Sequence, residues 1–158
     1  MVGISWKSGN SQEGPKRSVD LEYWAPILKI AGVRFVNLQY GECSRQLRVS
    51  FERFGVEILE DEKVNPLTDL ESFAAQAAAM DLVISVDNST VHFAGALGVK
   101  VWTMLPAVPD WRWGLEGEST CWYPAMRLFR QADRGKWEPV ISRIAEELGS
   151  LVKSNKNR

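Results

Sequence analysis

Histidine and cysteine are scarce in this 158-residue chain, which contains one histidine and two cysteines. Cys43 and Cys121 form no C-x-x-C pair, so the sequence lacks the ligand spacing of a zinc cluster. We interpret both as reduced thiols of an intracellular protein. A chain of this length buries roughly 70% of its unfolded surface, so it needs neither a disulfide nor a metal to fold.

An excess of positive charge and a long apolar run are also missing. The net charge is -1 at pH 7, whereas proteins that bind nucleic acids usually carry a basic excess. Residues 1–10 contain no apolar run of signal-peptide length, and nowhere do 18 apolar residues follow one another. The sequence therefore predicts a cytoplasmic protein with no transmembrane segment and no nucleic-acid partner.

Several catalytic and cofactor motifs are absent as well. The chain has no GxxxxGK[ST] loop, no GxGxxG fingerprint and no GxSxG elbow, which excludes the P-loop, dinucleotide-dehydrogenase and esterase patterns. Asp87 and His92 lie too close in sequence to resemble two members of a hydrolytic triad. We therefore predict no catalytic residue, no metal ligand and no cofactor in this chain.

The chain does contain a regular alternation of strand-like and helix-like segments. Strands are expected at residues 2–6, 33–38, 56–59, 81–86, 100–105 and 126–129. Helices are expected at residues 20–31, 44–54, 72–80, 90–97 and 137–152. Such alternation with short connections is typical of right-handed βαβ units. It predicts a Rossmann-like α/β fold of three α/β/α layers, with a mainly parallel sheet of about six strands.

Local patterns set some of the boundaries. Thr68 and Glu71 form a capping-box pattern before the alanine-rich helix, and Pro26 limits the regular part of the first helix to its later turns. Residues 81–86 are continuously apolar, as in a central parallel strand that is covered on both faces. We assign residues 1–152 to one domain and residues 153–158 to a disordered tail.

Ligands bind at the carboxyl ends of the strands in folds of this kind. The first strand is followed by a loop of small residues with Lys16 and Arg17, which suits a phosphate group but is also typical of a solvated basic loop. Gln39 follows the second strand. It is placed to contact a base or a ribose, and a simple exposed turn is the alternative.

The segment from Asp87 to His92 follows the central strand and opens a helix. A helix N-terminus attracts anions, and Ser89 and Thr90 add hydroxyl donors. Asp87 is placed to accept hydrogen bonds from sugar hydroxyls, with His92 in the same first turn. The alternative is that Asn88 or Ser89 only caps the helix and that the histidine is structural. We favour the functional interpretation because these signals coincide at a ligand-facing edge.

A long segment without clear periodicity, residues 106–125, follows the fifth strand. Loops of this length inside compact domains are usually functional. Its aromatic side chains, Trp111, Trp113, Trp122 and Tyr123, can stack on a base or a sugar ring, or they can form a small satellite core. We favour the satellite core, because tryptophans this close together tend to bury one another.

Four stretches of the sequence resemble one known family. They are VGISWKSGN with KRS, GVRFVNLQYGE, DLVISVDNSTVHFAGALGVKVW, and LPAVPDWRW with WYPAMRLFRQ. Together they resemble the C-terminal domain of heptosyltransferase-like glycosyltransferases, in particular the bacterial branch that is fused behind tetratricopeptide repeats. The resemblance extends from Val2 to about Leu148.

The resemblance implies a GT-B fold whose C-terminal half binds a nucleoside-diphosphate sugar. By position in the family motifs, Lys16 or Arg17 would meet the diphosphate, and Gln39 would contact the nucleoside. The main chain and hydroxyls of Asn88, Ser89 and Thr90 would form a diphosphate cradle. Asp87 would lie near the donor sugar, with His92 at the position of the family's histidine.

The resemblance also implies that this domain is incomplete. The catalytic base of these inverting, metal-independent enzymes belongs to the N-terminal acceptor domain, so the chain alone is expected to be inactive. Asn88–Ser89 replaces the family's Thr-Gly, and Lys16-Arg17-Ser18-Val19 replaces its Lys-x-Trp-Pro, so the sugar and the base stay open.

Two alternatives remain at the level of sequence. The first is a non-catalytic module that has kept this fold to bind a nucleotide or a partner. The second is a flavodoxin-like signalling domain, which needs acidic residues after the first strand. Lys7 and Ser8 stand there instead, which disfavours the second alternative.

Overall fold

The computed structural model describes residues 1–156 and contains one sheet of six parallel strands. The strand order is β3-β2-β1-β4-β5-β6, and every neighbouring pair is parallel. The strands are β1 (Val2–Ser5), β2 (Phe35–Asn37), β3 (Ile58–Leu59), β4 (Leu82–Val86), β5 (Val101–Leu105) and β6 (Met126–Arg130).

Helices cover both faces of this sheet. They are α1 (Gly14–Arg17), α2 (Ala25–Leu28), α3 (Ser44–Phe54), α4 (Leu70–Ala78), α5 (Ser89–Ala96) and α6 (Glu138–Lys156), with short 3₁₀ turns at Leu21–Trp24 and Trp111–Trp113. One apolar cluster joins the sheet to Trp24, Ile27 and Ile144, and a second joins it to Phe73 and Val91. The predicted three-layer α/β/α fold with a parallel sheet is confirmed.

Helix α3 has the predicted bounds and ends at Gly55, whose φ of 66° is a left-handed conformation that favours glycine. The helix expected at residues 20–31 is shorter. It consists of a 3₁₀ turn followed by the four residues of α2, with Pro26 in the first turn of α2. A further short helix, α1, forms inside the expected basic loop, because Pro15 suits a first helical turn.

Helix α4 is capped by a different residue from the one predicted. Asp69, not Thr68, is the N-cap, and its carboxylate accepts a hydrogen bond from Ser72 N at 3.0 Å. The capping-box assignment was therefore wrong by one residue. Asp69 precedes Ser72 by the three residues that a cap requires, and its carboxylate is a strong acceptor at a helix N-terminus.

Helix α6 continues beyond the predicted end of the domain at Val152. It is helical to Lys156, because Leu151 and Val152 still pack against the first apolar cluster and hold its last turns. The tail predicted for residues 153–158 is thus helical in its first four residues, and residues 157–158 lie outside the described part of the chain. No helix within residues 1–156 is long and apolar enough to cross a membrane.

The order of the strands fixes where a ligand can bind. The chain moves outward from β1 through β2 to β3, then returns to place β4 on the other side of β1. Connections therefore diverge between β1 and β4, which leaves a crevice at the carboxyl ends of these two strands. Asp87 and the N-terminus of α5 lie at this crevice.

Candidate functional site

A buried side-chain amide, that of Asn88, connects the ends of β1 and β4. Its Nδ2 donates to Ser5 Oγ at 2.7 Å and to Lys7 O at 2.9 Å. Its Oδ1 accepts from Thr90 N at 3.0 Å and from Ser85 Oγ at 3.2 Å. Asn88 therefore caps α5 and also holds the backbone of the loop that follows β1.

A second buried amide, that of Gln39, holds the same loop from the side of β2. Its Oε1 accepts from Trp6 N at 2.9 Å, from Lys7 N at 2.7 Å and from Ser5 Oγ at 3.0 Å. Its Nε2 donates to Tyr40 O at 3.0 Å. We call the set formed by Ser5, Gln39 and Asn88 the polar seam. Within it the amide of Gln39 faces the protein, so contact with a base would require these bonds to break.

Asp87 lies at the carboxyl end of β4 and is only 1% exposed. Its Oδ2 is 3.0 Å from Arg17 Nη1, and Arg17 Nη2 is 3.6 Å from Asp110 Oδ2. Arg17 ends α1, and Asp110 belongs to the loop after β5. This arginine therefore ties together three segments that follow three different strands.

The carboxylate of Asp87 is kept in an unfavourable environment. Burial raises the pKa of Asp87 above its ordinary value of 3.8, although Arg17 and, to a smaller extent, Trp113 and His92 act in the opposite direction. No hydrogen bond of good geometry reaches Asp87 Oδ2 within the described residues. Its partner is the Arg17 guanidinium at 3.0 Å, so the carboxylate is ion-paired, and a buried ion pair with a shifted pKa at a ligand-facing edge favours a binding site.

The ring of His92 is held by three neighbours. Its Nδ1 is 2.9 Å from Tyr123 Oη, and its Nε2 is 3.4 Å from Arg112 Nη1. The ring stacks on Trp113 with centroids 5.2 Å apart and an interplanar angle of 17°. Because arginine can only donate, Nε2 is the acceptor and Nδ1 carries the proton that Tyr123 accepts. The contacts therefore specify a neutral histidine.

Electrostatics favour the same protonation state. Burial lowers the pKa of His92 below its ordinary 6.5, and the neighbouring Arg112 lowers it further. Asp87 and Asp110 act in the opposite direction but do not reverse the shift. At neutral pH the ring is thus an uncharged member of the site, in contact with a cation.

The remaining predicted residues lie in different environments. The Ser89 side chain is exposed at the first position of α5. Thr90 is fully buried, and its hydroxyl donates to Leu38 O at 3.4 Å, away from solvent. Lys16 is directed to the surface, where its Nζ is 2.9 Å from Glu13 Oε1. Of the two adjacent cations, Arg17 contacts Asp87, whereas the described ion pair of Lys16 is with Glu13.

Two residues that contact this site, Asp110 and Arg112, were not predicted from the sequence, and a third, Tyr123, was predicted only as an aromatic side chain of the loop. Asp110, Arg112 and Tyr123 complete a ring of polar contacts in which Asp110 Oδ1 is 3.2 Å from Arg112 Nε. Their position in the loop after β5, and the alternation of acid, base and aromatic residues in PDWRW, were the available signals. The sequence interpretation of that loop considered only its aromatic side chains and therefore did not include Asp110 and Arg112.

Those tryptophans divide into two groups. Trp113 is buried beside His92, as a satellite core requires. Trp111 and Trp122 are 78% and 53% exposed and contact each other edge to face. The satellite-core prediction thus describes Trp113 but not the two outer indoles, which lie beyond the apolar interior.

A cavity lies at the carboxyl ends of β2 and β3. It has a volume of about 430 Å³, and acidic side chains dominate its charge. The residues that define its rim are Asn37, Gln39, Glu42, Glu60, Asp61 and Gln76. Gln39 belongs both to this rim and to the polar seam, whereas Asp87 does not line the cavity. Within residues 1–156 no three histidine, cysteine or acidic side chains are grouped as metal ligands.

Comparison with known proteins gives one curated relative and several solved structures of the same fold. No family model matches the chain. Protein FlbA of Caulobacter vibrioides (strain ATCC 19089 / CIP 103742 / CB 15) is 38% identical over 154 residues, which is 97% of this chain. The match spans 26% of FlbA, so the chain corresponds to about a quarter of that protein.

Escherichia coli ADP-heptose lipopolysaccharide heptosyltransferase II superposes with a TM-score of 0.67 at 18% identity, over 99% of this chain and 47% of that enzyme. Heptosyltransferase WaaC of E. coli, solved with ADP, gives 0.62 at 14% identity, over 99% and 44%. A glycosyl transferase family 9 protein of Veillonella parvula DSM 2008 gives 0.63 at 11% identity, over 97% and 45%. The chain therefore has the Rossmann-like fold of a heptosyltransferase C-terminal half.

Proposed function

We propose that this chain is the donor-binding domain of an inverting GT-B glycosyltransferase, and that its ligand is a nucleoside-diphosphate sugar. The observation that carries the proposal is the buried carboxylate of Asp87, which stands beside the N-terminus of α5 at the crevice between β1 and β4. Burial of a carboxylate costs stability even when an arginine pairs with it, so the presence of Asp87 at a ligand-facing edge favours a role in binding.

The diphosphate is proposed to lie against the first turn of α5. Main-chain N–H groups at a helix N-terminus attract anions, and the exposed Ser89 hydroxyl adds a donor there. Lys7, whose main chain is fixed by Gln39 and Asn88, contributes a nearby cation. In this arrangement Asn88 acts by holding the cradle in shape, and Arg17 acts by orienting Asp87.

The nucleoside is proposed to occupy the cavity at the ends of β2 and β3. A cavity of about 430 Å³ has the size of a small-ligand site. Its carboxylates, among them Glu42 and Glu60, can accept hydrogen bonds from ribose hydroxyls or from an exocyclic amine. The role of Gln39 is then to connect the nucleoside cavity with the phosphate cradle, through the loop that follows β1.

In the complete enzyme an acceptor hydroxyl would attack the anomeric carbon of the sugar while the bond from that carbon to the diphosphate oxygen breaks. The hydroxyl proton would pass to a base on the other domain, and the nucleoside diphosphate would leave. The residues of this chain would stabilise the charge that develops on the leaving diphosphate. The chain spans less than half of the heptosyltransferases that share its fold, so an acceptor domain and tetratricopeptide repeats in a longer parent remain part of the proposal.

Binding of nucleotides to the purified chain tests this proposal directly. We expect isothermal titration calorimetry to detect binding of at least one of ADP, UDP and GDP, or of ADP-glucose, UDP-glucose and GDP-mannose. The substitution Asp87→Asn should weaken binding of the sugar nucleotide by about tenfold or more, since roughly 1.4 kcal/mol separates each factor of ten.

The matched control is the same substitution at the other end of the same strand. Asp81 precedes β4, is exposed, and lies at the amino-terminal edge of the sheet. Asp81→Asn should leave affinity unchanged. Equal weakening by both substitutions, or full affinity of Asp87→Asn, would contradict the assignment of the site.

A second function is favoured by one specific observation. Arg17 is neutralised by Asp87 and Asp110, and Arg112 is neutralised by Asp110, so neither arginine offers free positive charge to a diphosphate. That balance suits a non-catalytic module that binds a partner or a nucleotide without transferring a sugar. Absence of thermal stabilisation by any of the six ligands above would favour the partner-binding form of this alternative.

A further inference from the structure

We propose that the two exposed indoles of Trp111 and Trp122 form a binding cleft for a pyranose ring. This inference deepens the proposed function by assigning a place for a sugar. It rests on the proposed function for one point only, namely whether the bound ring is the sugar of the donor or belongs to a separate saccharide. We call the set of Trp111, Arg112 and Trp122, with His92 and Tyr123 at its base, the aromatic cleft.

The two indoles differ in exposure from the third tryptophan of the same loop. Trp113 is buried, whereas Trp111 is 78% and Trp122 53% exposed. Their ring centroids are 6.3 Å apart, and their planes are inclined at 81°. The pair therefore forms a corner of two perpendicular apolar faces that are open to solvent, and such surfaces usually bind a ligand.

The corner is held in shape by its neighbours. Trp122 Nε1 donates to Arg112 O at 3.0 Å, and the Arg112 guanidinium lies over the Trp111 ring at 5.8 Å. From below, Arg130 binds the adjacent backbone, with Nη2 2.6 Å from Trp113 O and Nη1 3.0 Å from Gly114 O. A cleft that is already ordered loses little conformational entropy when a ligand binds. Its fixed contacts therefore favour a role in binding.

The volume and the polar groups of the cleft limit what can occupy it. It has a volume of about 300 Å³, which is at the lower end of small-ligand sites and has room for one ring or two. The Tyr123 hydroxyl and the Arg112 guanidinium are the polar groups at its wall. The cleft therefore suits a small ligand of one or two rings with hydrogen-bonding substituents.

Charge separates a sugar from an anionic ligand. Arg112 is already paired with Asp110 at 3.2 Å, and the contacts of His92 specify the neutral ring. The cleft consequently has no net positive charge to offer to a phosphate or a carboxylate. An uncharged ring with one apolar C–H face and a rim of hydroxyls matches two indole faces next to a guanidinium and a phenol.

The position of the cleft distinguishes a sugar from a base. The proposed nucleoside cavity lies at the opposite end of the carboxyl edge, beyond β1 and β2, and has room for a base. The aromatic cleft is formed by the loop after β5 and by His92 of α5, and it shares no lining residue with that cavity. A ring bound there is either the transferred sugar of the donor or a separate saccharide, and both have the same chemistry.

Fluorine NMR on the chain labelled with 5-fluorotryptophan tests this inference. Seven tryptophans give seven resonances, which Trp→Phe variants assign one at a time. The probes are the methyl glycosides of glucose, galactose, mannose and N-acetylglucosamine, then ADP, UDP and GDP, then ADP-glucose, UDP-glucose and GDP-mannose. We expect the Trp111 and Trp122 resonances to shift with at least one glycoside or sugar nucleotide, and the Trp24 resonance to stay fixed.

The same probes identify the source of the ring. Shifts with the free glycosides indicate a separate saccharide, whereas shifts with sugar nucleotides only indicate the donor's own sugar. Trp111→Ala should weaken the binding that shifts these resonances by about fivefold or more and leave affinity for the free nucleoside diphosphate within about twofold. Leu115→Ala, at an exposed position of the same loop, is the matched control and should change neither.

The outcomes separate the two proposals. If nucleoside diphosphates bind but no glycoside or sugar nucleotide shifts Trp111 or Trp122, the aromatic cleft is wrong and the proposed function stands. If no nucleotide binds, the proposed function is wrong, and the glycoside titration alone decides the cleft. Equal effects of Trp111→Ala and Leu115→Ala would also overturn the inference.

Discussion

The polar seam and the aromatic cleft lie at the same edge of the sheet but are stabilised in opposite ways. In the seam, Ser5, Gln39 and Asn88 are buried and their amide groups are hydrogen-bonded. In the cleft, the outer indoles are exposed, and the loop that carries them is held from below by one arginine. The polar seam is therefore part of the buried interior, whereas the aromatic cleft is a solvent-exposed surface of a loop.

This difference explains where substitutions should affect stability and where they should affect binding. Removing a buried amide leaves its partners without hydrogen bonds and destabilises the whole domain. Removing an exposed indole leaves no buried group unsatisfied and should affect stability little. The comparison is tested by substituting the residues that maintain each region and measuring unfolding and local order separately.

The largest effect is expected for Asn88→Ala. This substitution removes the cap of α5 from Thr90 N and one hydrogen bond each from Ser5 Oγ and Lys7 O, which keep their contacts with Gln39. We expect the free energy of unfolding to fall by about 3 kcal/mol, from the loss of one N-cap and of buried hydrogen bonds. Urea denaturation followed by circular dichroism measures this loss.

Ser89→Ala is the control for that substitution. Ser89 is the next residue along the helix, but its side chain is exposed. Its removal should change the free energy of unfolding by less than about 0.5 kcal/mol. If the two substitutions destabilise equally, the seam does not determine the stability of this edge.

A somewhat smaller effect is expected for Arg130→Met, which acts on the loop of the aromatic cleft. The Arg130 guanidinium donates to four carbonyl oxygens, those of Trp113, Gly114, Glu116 and Gly117, at 2.6–3.2 Å. We expect a loss of about 2 kcal/mol, because charge-assisted bonds are lost while the methionine keeps part of the packing. Amide hydrogen exchange at residues 113–117 should accelerate more than exchange in the seam.

Two variants make that result specific. Arg130→Lys keeps the charge but not the planar set of donors, so it should recover only part of the protection. Arg134→Met changes an exposed arginine in the turn after β6 and should leave exchange at residues 113–117 unchanged. Equal acceleration throughout the domain would mean that Arg130 stabilises the fold as a whole and not the loop.

The seam and the cleft also differ in how far the sequence predicted them. The six strands, their parallel sheet and the position of Asn88 at a carboxyl end follow from local periodicity and from the rule for parallel sheets, whereas the strand order was not predicted. The orientation of Gln39 did not follow, because either end of an amide can face the protein or the solvent. Only the positions of the neighbouring main-chain groups decide between the two.

The cleft was predicted less well, for a physical reason. Sequence alone does not distinguish a buried indole from an exposed one within a few residues, so Trp111 and Trp113 were assigned together to a satellite core. Likewise, Lys16 and Arg17 are adjacent cations, but α1 turns them in different directions. Contacts such as Arg17 with Asp110 join segments that are far apart in sequence, and no local pattern records them.

An intermediate effect, confined to acidic pH, is expected from His92. Its folded pKa lies below the ordinary 6.5, because it is buried against Arg112 and Tyr123, while Asp87 and Asp110 act in the opposite direction. The unfolded chain therefore binds a proton at a higher pH than the folded chain does. Stability should fall as pH drops below about 6.5, by at most about 1.4 kcal/mol per pH unit, and should level off below the folded pKa.

The substitution His92→Gln isolates this contribution. A neutral amide of similar length does not titrate, so the difference in unfolding free energy between wild type and variant should shrink or reverse as pH falls below 6.5. Asp87 has a raised pKa and contributes in the opposite direction at more acidic pH, but it does so in both proteins. A difference that stays constant from pH 7.5 to 5 would show that the protonation of His92 is not linked to folding.

The smallest effect is expected for Lys16→Met. This substitution tests whether the positive charge of Lys16 contributes to stability or to nucleotide binding. Lys16 is 67% exposed in its ion pair with Glu13, and exposed pairs contribute less than about 1 kcal/mol. We expect a change of less than about 0.5 kcal/mol in unfolding and of less than about twofold in nucleotide affinity at 0.15 M salt. Lys153→Met, on α6, is the charge-matched control. Because Arg17 contacts Asp87 and Lys16 does not, a large loss of affinity in Lys16→Met alone would mean that a bound diphosphate draws this side chain from the surface into the crevice.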